Sequence, residues 1–440
     1  MNKKSFIWAI AALSLSMATT ACSDDKDNDG PGGGSGEMEQ YSAEESKEFL
    51  EDAAQEAMSL LDPAKQKPLA DLCGYFLRNY GELGMPGMDQ TDGPSMVASF
   101  FRNINSAMRK GDYAGVSRAA YDYVYDIDLD FSALAGIYEP GDTDWKKTGD
   151  SKDLIFQFKD GSGNNCKFSL SSNGNFSTGS FEFSDYYDYL VQFNIPNDMT
   201  LTLNQGSTSL ISLNIVTNIN LKGHAVDAAV KGSVMNISMD VVANANDNKV
   251  TENATIKIDG NTFLTSTATV NGSNLCNLDY YKTINDDNAR TKLSSLLKNG
   301  AATVNLINKV QADVEVTYSP ALYDALTTYY DCWEFNSETQ ALAELQKAIA
   351  TLNTQVKGII RYNDTVTPQA YIGWGYEFDS WGYGGDYWEY WIEPILVFPD
   401  NTSYTFEDYF ETGFSGAENA WYNLVNKYET IWGKIFSYLD

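Results

Sequence analysis

The chain of 440 residues contains a single histidine, His224. A Ser-His-Asp arrangement needs a histidine beside a nucleophile, and no G-x-S-x-G turn accompanies this one. A zinc site built from several histidines is excluded outright. His224 stands where a strand pattern begins and reads as a partly exposed strand-end residue. No Walker loop and no G-x-G-x-x-G on a strand–helix turn occurs, so phosphate and dinucleotide chemistry lack their backbone cradle. Cysteine is scarce and never forms C-x-x-C. Cys73, Cys166, Cys276 and Cys332 each fall in an apolar or alternating pattern and are expected as buried thiols. Basic residues are few, 30 against 60 acidic. A field that negative repels nucleic acid and anionic lipid surfaces.

Long apolar runs are also missing. The longest begins at Phe6 and ends at Ala18, too short to span a bilayer, and follows the positive Lys3 and Lys4. Small residues then lead to a cysteine in "TTAC", ending at Cys22, and "SDDKDNDG" follows. This region resembles the leader, lipid-bearing cysteine and acidic export signal of Bacteroidota surface lipoproteins. The resemblance implies a signal peptide at 1–21, lipid on Cys22 and an outer-membrane protein facing the exterior. That lipid is the expected sole contact with the membrane. Residues 22–40 include the Gly-rich "NDGPGGGSG" and read as a flexible tether. Removing Lys3 and Lys4 with the leader takes the formal charge from −30 to −32.

Residues 41–130 read as a helical segment. Ser42 with Glu45 is a capping box, followed by an apolar stripe through Phe49, Leu50, Ala53, Ala57 and Met58. Pro68 opens a second helix, with Leu69, Leu72, Cys73 and Phe76 inward. Two further stripes, Met96 to Met108 and Tyr113 to Val124, predict two more. From 131 to 318 the period becomes two, with strands expected near 131–138, 153–159, 165–171, 176–184, 207–221, 224–242, 250–258, 262–271 and 310–318. The apolar phase flips within 224–242, which predicts a bulge or bend. "DGN" at 259–261 predicts a hairpin, and a short helix is expected near 286–298. Residues 319–440 return to helices, ending in an amphipathic stripe from Trp421 to Leu439, and enclose an aromatic hairpin. The fold class expected is α+β: a large curved antiparallel sheet, a meander, packed by amphipathic helices from both ends of the chain.

Between Arg361 and Lys427 there is no Lys, Arg or His, yet 11 acids and 19 aromatic residues. Glycan sites lay flat rings against sugar faces and bond hydroxyls with carboxylates. Much of this stretch also follows the two-residue period of a half-buried strand. Ile372, Trp374, Tyr376 and Phe378 fall on one face, as do Trp388, Tyr390, Ile392, Leu396 and Phe398. Pro394 marks an edge strand or its end. What remains as candidate ligand-binding set is Trp381 and Tyr383 on the loop, Tyr387 and Trp391 on the mixed face, and Glu377, Asp379, Asp386 and Glu389 beside them, with Glu393 as a further acid.

"DIDLD" places Asp126, Asp128 and Asp130 on one side of an extended chain, a candidate calcium cradle without the Gly and Glu of an EF-hand; a solvated face is the alternative. Asp364-Thr365-Val366 resembles the three-residue O-glycosylation site of Bacteroidota exported proteins. No catalytic residue and no resident cofactor is legible. The function expected is non-enzymatic binding of a glycan. A carboxylate-pair glycosidase and a carrier of lipid or another hydrophobic ligand are the alternatives. Nothing in the residue pattern sets an oligomeric state.

Overall fold

The computed structural model describes residues 39–81, 83, 126–184, 188–285, 288–331, 338–381 and 387–439. The helices expected between Met96 and Val124, together with Cys22, Tyr383, Asp386 and Cys332, lie outside the described residues.

Helix α1 (Ala43–Leu60) begins as the capping box requires: Ser42 accepts from the Glu45 amide, and Glu45 accepts from the Ser42 amide at 2.8 Å. A 3-10 turn (Pro63–Gln66) leads into α2 (Lys67–Tyr80), with proline in its first turn as expected. Strand β1 (Asp126–Asp130) and a one-turn helix α3 (Phe131–Leu134) follow. The strand expected over 131–138 is therefore displaced: β2 runs only from Gly136 to Pro140.

Strands β3 (Trp145–Gly149), β4 (Leu154–Lys159), β5 (Asn165–Ser172), β6 (Phe176–Ser184), β7 (Asp188–Pro196), β8 (Asp198–Gln205) and β9 (Thr208–Asn220) come next. The expected single bent strand over 224–242 is two strands, β10 (Ala225–Val234) and β11 (Ile237–Asn246). The phase flip is a two-residue hairpin turn at Met235-Asn236, with Met235 at φ 53. Strands β12 (Lys249–Ile258) and β13 (Asn261–Gly272) join through Asp259-Gly260, at φ 53 and 82, the left-handed pair that a type I′ turn demands.

Short helices α4 (Leu278–Tyr281) and α5 (Ala289–Leu296) precede β14 (Leu297–Leu306) and β15 (Val310–Thr317). Helices α6 (Pro320–Asp331) and α7 (Glu338–Gln355) lead to β16 (Val356–Tyr362), β17 (Pro368–Trp381), β18 (Tyr387–Val397) and β19 (Ser403–Thr405). Helices α8 (Phe406–Glu411) and α9 (Ser415–Leu439) complete the order. The class is α+β. Sixteen strands form one sheet in the order β19-β18-β17-β16-β15-β14-β13-β12-β11-β10-β9-β8-β5-β4-β2-β3. All its pairings are antiparallel except β2–β4, and a separate β1-β7-β6 sheet contains the parallel pair β1–β7.

Register sorts the sheet into two faces. Ile211, Leu213 and Ile215 of β9 align with Val234, Gly232 and Val230 of β10, then with Ile237, Met239 and Val241 of β11. The opposite face carries Ser212, Asn214, Asn218, Asp227, Lys231, Asp240 and Asn244. Helices cover the apolar face at both ends. Leu69 and Leu72 of α2 pack on Tyr138, Trp145, Phe158 and Leu203, joined by Trp432 of α9. At the far end Ala43 of α1 and Ala417 of α9 pack with Ala370, Leu396, Phe398 and Tyr409.

Those two clusters require curvature. From β17 to β4 is eleven strand spacings, about 53 Å along a flat sheet. Ala417 and Trp432 are 15 residues apart on one helix, about 22 Å. The sheet must therefore bend around α9 for both contacts to exist.

Candidate functional site

Strand β17 leaves the body of the sheet partway along its length. It pairs with β16 only as far as Ile372, whereas its pairing with β18 runs from Tyr371↔Val397 to Trp381↔Tyr387. Beyond Ile372 the two strands form a ribbon. The ladder does not simply stop there. Asn353, near the end of α7, accepts from the Trp374 amide at 2.8 Å and donates to the Trp374 carbonyl at 3.1 Å. Its side-chain amide supplies one more rung in place of a strand.

Because both Trp374 groups point to Asn353, Trp374↔Pro394 is a pair without mutual hydrogen bonds. The missing N–H of Pro394 then faces the outer edge, where β19 pairs only with residues 395–397. The edge role expected of Pro394 holds. By alternation, Gly375↔Glu393, Glu377↔Trp391, Asp379↔Glu389 and Trp381↔Tyr387 are the rungs that exchange hydrogen bonds.

One face of the ribbon is backed. Trp374 and Ile392 pack with Leu322 and Ala325 of α6 and with Ala348 and Leu352 of α7. Ile372 and Leu396 join the cluster around Tyr409. These positions were expected to be core. Tyr376 was too, but it is 41% exposed although its rung partner Ile392 packs on both helices.

The other face continues the polar side of the sheet. Register places Trp381, Tyr387, Asp379, Glu389, Glu377 and Trp391 on it together, in three successive rungs. Six of the eight expected ligand-binding residues thus share one face, and Glu393 occupies the next rung. Tyr371 shares that face as well and is 43% exposed. Sequence reasoning missed it because the dense run of rings and acids lies at the tip, although its odd number already placed it with Glu377. Asn353 carried no sequence signal, being a helical asparagine 21 residues away.

Asp126, Asp128 and Asp130 lie in register with Leu190, Gln192 and Asn194 of β7. The row expected on one side of an extended chain is therefore an alternate set on an edge strand. Among the described residues, no group of three or more His, Cys, Asp or Glu side chains is placed to hold a metal ion.

His224 lies in the turn between β9 and β10 at φ 49, and its Nδ1 is 2.8 Å from an Asp247 carboxylate oxygen. The pair ties that turn to the one between β11 and β12. Burial, and then the Asp247 charge, raise the nearby Cys276 thiol above its ordinary value. Cys73, Cys166 and Cys276 are free thiols. Thr365 sits in the β16–β17 turn with its hydroxyl donating to the Tyr362 carbonyl at 2.8 Å, beside the exposed Val366.

No protein-family model and no curated protein matches the chain. Among solved structures, a porin-like protein from Bacteroides vulgatus is similar at 9% identity, covering 52% of this chain and 94% of that chain, with a TM-score of 0.17. A likeness that shallow carries no argument about fold or activity. Among the described residues, no helix is long and apolar enough to cross a membrane.

Proposed function

We propose that this chain is a lipid-anchored outer-membrane protein, facing the cell exterior, that binds an uncharged glycan without turning it over. The observation that supports glycan binding is the register of the ribbon, which lines up the acids Glu377, Asp379 and Glu389 with Trp381, Tyr387 and Trp391 on the face away from α6 and α7. Rings stack on the apolar faces of sugars, and carboxylates accept from hydroxyls. The absence of any base from 362 to 426 leaves no partner for an anionic polymer. The anchor rests on the leader, Cys22 and the acidic residues after it. The test is retention of the purified protein on a polysaccharide panel. Trp381→Ala and Trp391→Ala should each abolish retention without changing the thermal midpoint; retention by both variants overturns the reading.

A glycosidase is the second reading, and one rung favours it. Asp379 and Glu389 are direct cross-strand partners on one face, the juxtaposition a pair of catalytic carboxylates needs. Retaining hydrolases hold their two carboxyl groups about 5–5.5 Å apart. It requires release of reducing sugar that Asp379→Asn alone abolishes; a glycan bound but never cut excludes it. The carrier alternative draws on Leu213, Ile215, Val230, Met239 and Val241, which are half-buried on the apolar face. Native mass spectrometry showing no bound lipid removes it. The calcium cradle at Asp126, Asp128 and Asp130 is tested by calorimetric titration, in which Asp128→Asn should lower the affinity.

A further inference from the structure

We infer that the binding face extends from the ring-and-acid tip of the ribbon down to Tyr371, and that its ligand is a linear, uncharged glycan chain lying along β17 rather than a terminal sugar. This rests on the reading of the ribbon as a glycan-binding face. Tyr371 aligns with Val397 on the face that carries Glu377–Trp391, Asp379–Glu389 and Trp381–Tyr387. Tyr371 is 43% exposed, whereas Trp374 on the opposite face is held among the residues of α6 and α7.

Between Tyr371 and Glu377 the same face of β17 carries only Gly373 and Gly375. Neither rises above the backbone. Their neighbours form the floor instead: a Cβ on Gly375 would come within 2.9 Å of Ile395 Cγ2, and one on Gly373 within 3.3 Å of Asn353 Oδ1 and 3.4 Å of Val397 Cγ2, while Glu393 is the register partner of Gly375. The relief along β17 is therefore an exposed tyrosine, a low shelf of Ile395 and Val397 edged by Asn353 and Glu393, then the acidic and aromatic rungs. Tyr371 and Glu377 are six residues apart, about 20 Å of strand, and Tyr371 and Trp381 about 33 Å. A single sugar meets one rung of such a surface. A chain laid along the strand meets the ring of Tyr371, sets its apolar faces on Ile395 and Val397, and reaches the carboxylates beyond.

The test compares the purified protein with Tyr371→Ala, Tyr371→Phe and Trp391→Ala on xylan, mannan, laminarin and dextran, and then on size-graded oligosaccharides cut from whichever polymer binds. Affinity should rise with chain length until the oligosaccharide spans the shelf. Tyr371→Ala should weaken polymer binding about three- to tenfold, as loss of one stacking ring does, and leave the shortest bound oligosaccharide unaffected. Tyr371→Phe should restore the polymer. Trp391→Ala should lose both ligands. If Tyr371→Ala binds polymer as the parent does while Trp391→Ala fails, the extension to Tyr371 is wrong and the tip alone is the site. The extension is equally wrong if Tyr371→Ala weakens short and long ligands to the same degree. If the parent binds none of the four polymers, this inference falls together with the functional reading beneath it.

Discussion

Replacing Asn353 by alanine should loosen the ribbon without unfolding the body. Asn353 makes two hydrogen bonds to Trp374, one to its amide and one to its carbonyl. A hydrogen bond contributes about 0.5–1.5 kcal/mol net, which bounds the loss at about 1–3 kcal/mol. Both bonds are solvent-exposed. Water therefore replaces the lost partner, and the cost falls near the lower end, about 1 kcal/mol. That corresponds to roughly fivefold faster local opening. Hydrogen exchange read by mass spectrometry should show the change in peptides spanning 375–381 and 387–393, while peptides of β12 and β13 keep their rates. Asn353→Asp retains the acceptor for the Trp374 amide and should show about half the free-energy effect. Unchanged exchange in the ribbon of Asn353→Ala would refute the view that this side chain substitutes for a strand.

Leu352 is 1% exposed between α7 and the sheet, so Leu352→Ala should cost about 2–5 kcal/mol, read as a lowered urea midpoint; a shift below ~1 kcal/mol would mean the site collapses freely. Hydrogen bonds from the Asn164 and Gln205 side chains and the backbone amides of Ser162 and Asn164 hold the Asp160 carboxyl down to about 2. The folded value lies below the ordinary one of about 4, so the stabilisation is fully present above pH ~4 and is lost as pH falls towards 2. Asp160→Asn should flatten urea stability across that window, and an unaltered slope would contradict the assignment. Burial pushes the Cys73 thiol up to about 11, so iodoacetamide at pH 8 should modify Cys73 only after unfolding; labelling of the native protein at Cys73 would show that α2 opens.

The sequence disclosed the local chemistry of the fold better than its global path. Ser42 and Glu45 marked the start of α1, and Asp259-Gly260 marked a hairpin, because both signals act over two to four residues. Strand β3 escaped notice because "WKKTG" is short and lysine-rich, as sheet edges are. Strand β14 escaped because Gly300, Ala301 and Ala302 blur the alternation. The flip in 224–242 was visible, but its phase alone does not separate a bulge from a two-residue turn. Parity assigned most rings of the aromatic stretch to a face; Trp374 and Phe398 are packed accordingly, and Tyr376 is not. Which acid meets which ring depends on how five residues, 382–386, close the hairpin, and that register is not encoded in any single strand. Curvature was expected from the class, but its cause, one helix touching both ends of the sheet, is a long-range fact.

The N-terminal segment meets the body at the start of β17. Gln369 is fully buried and accepts from the Tyr41 amide at 2.8 Å, while its own amide donates to the Glu39 carbonyl at 3.1 Å. Whatever precedes Glu39 therefore enters the body at the first residues of β17. Trp381 stands at the opposite end of the same strand, twelve residues and about 40 Å away. The point where the chain enters the body and the rungs of rings and acids thus lie at opposite ends of one strand.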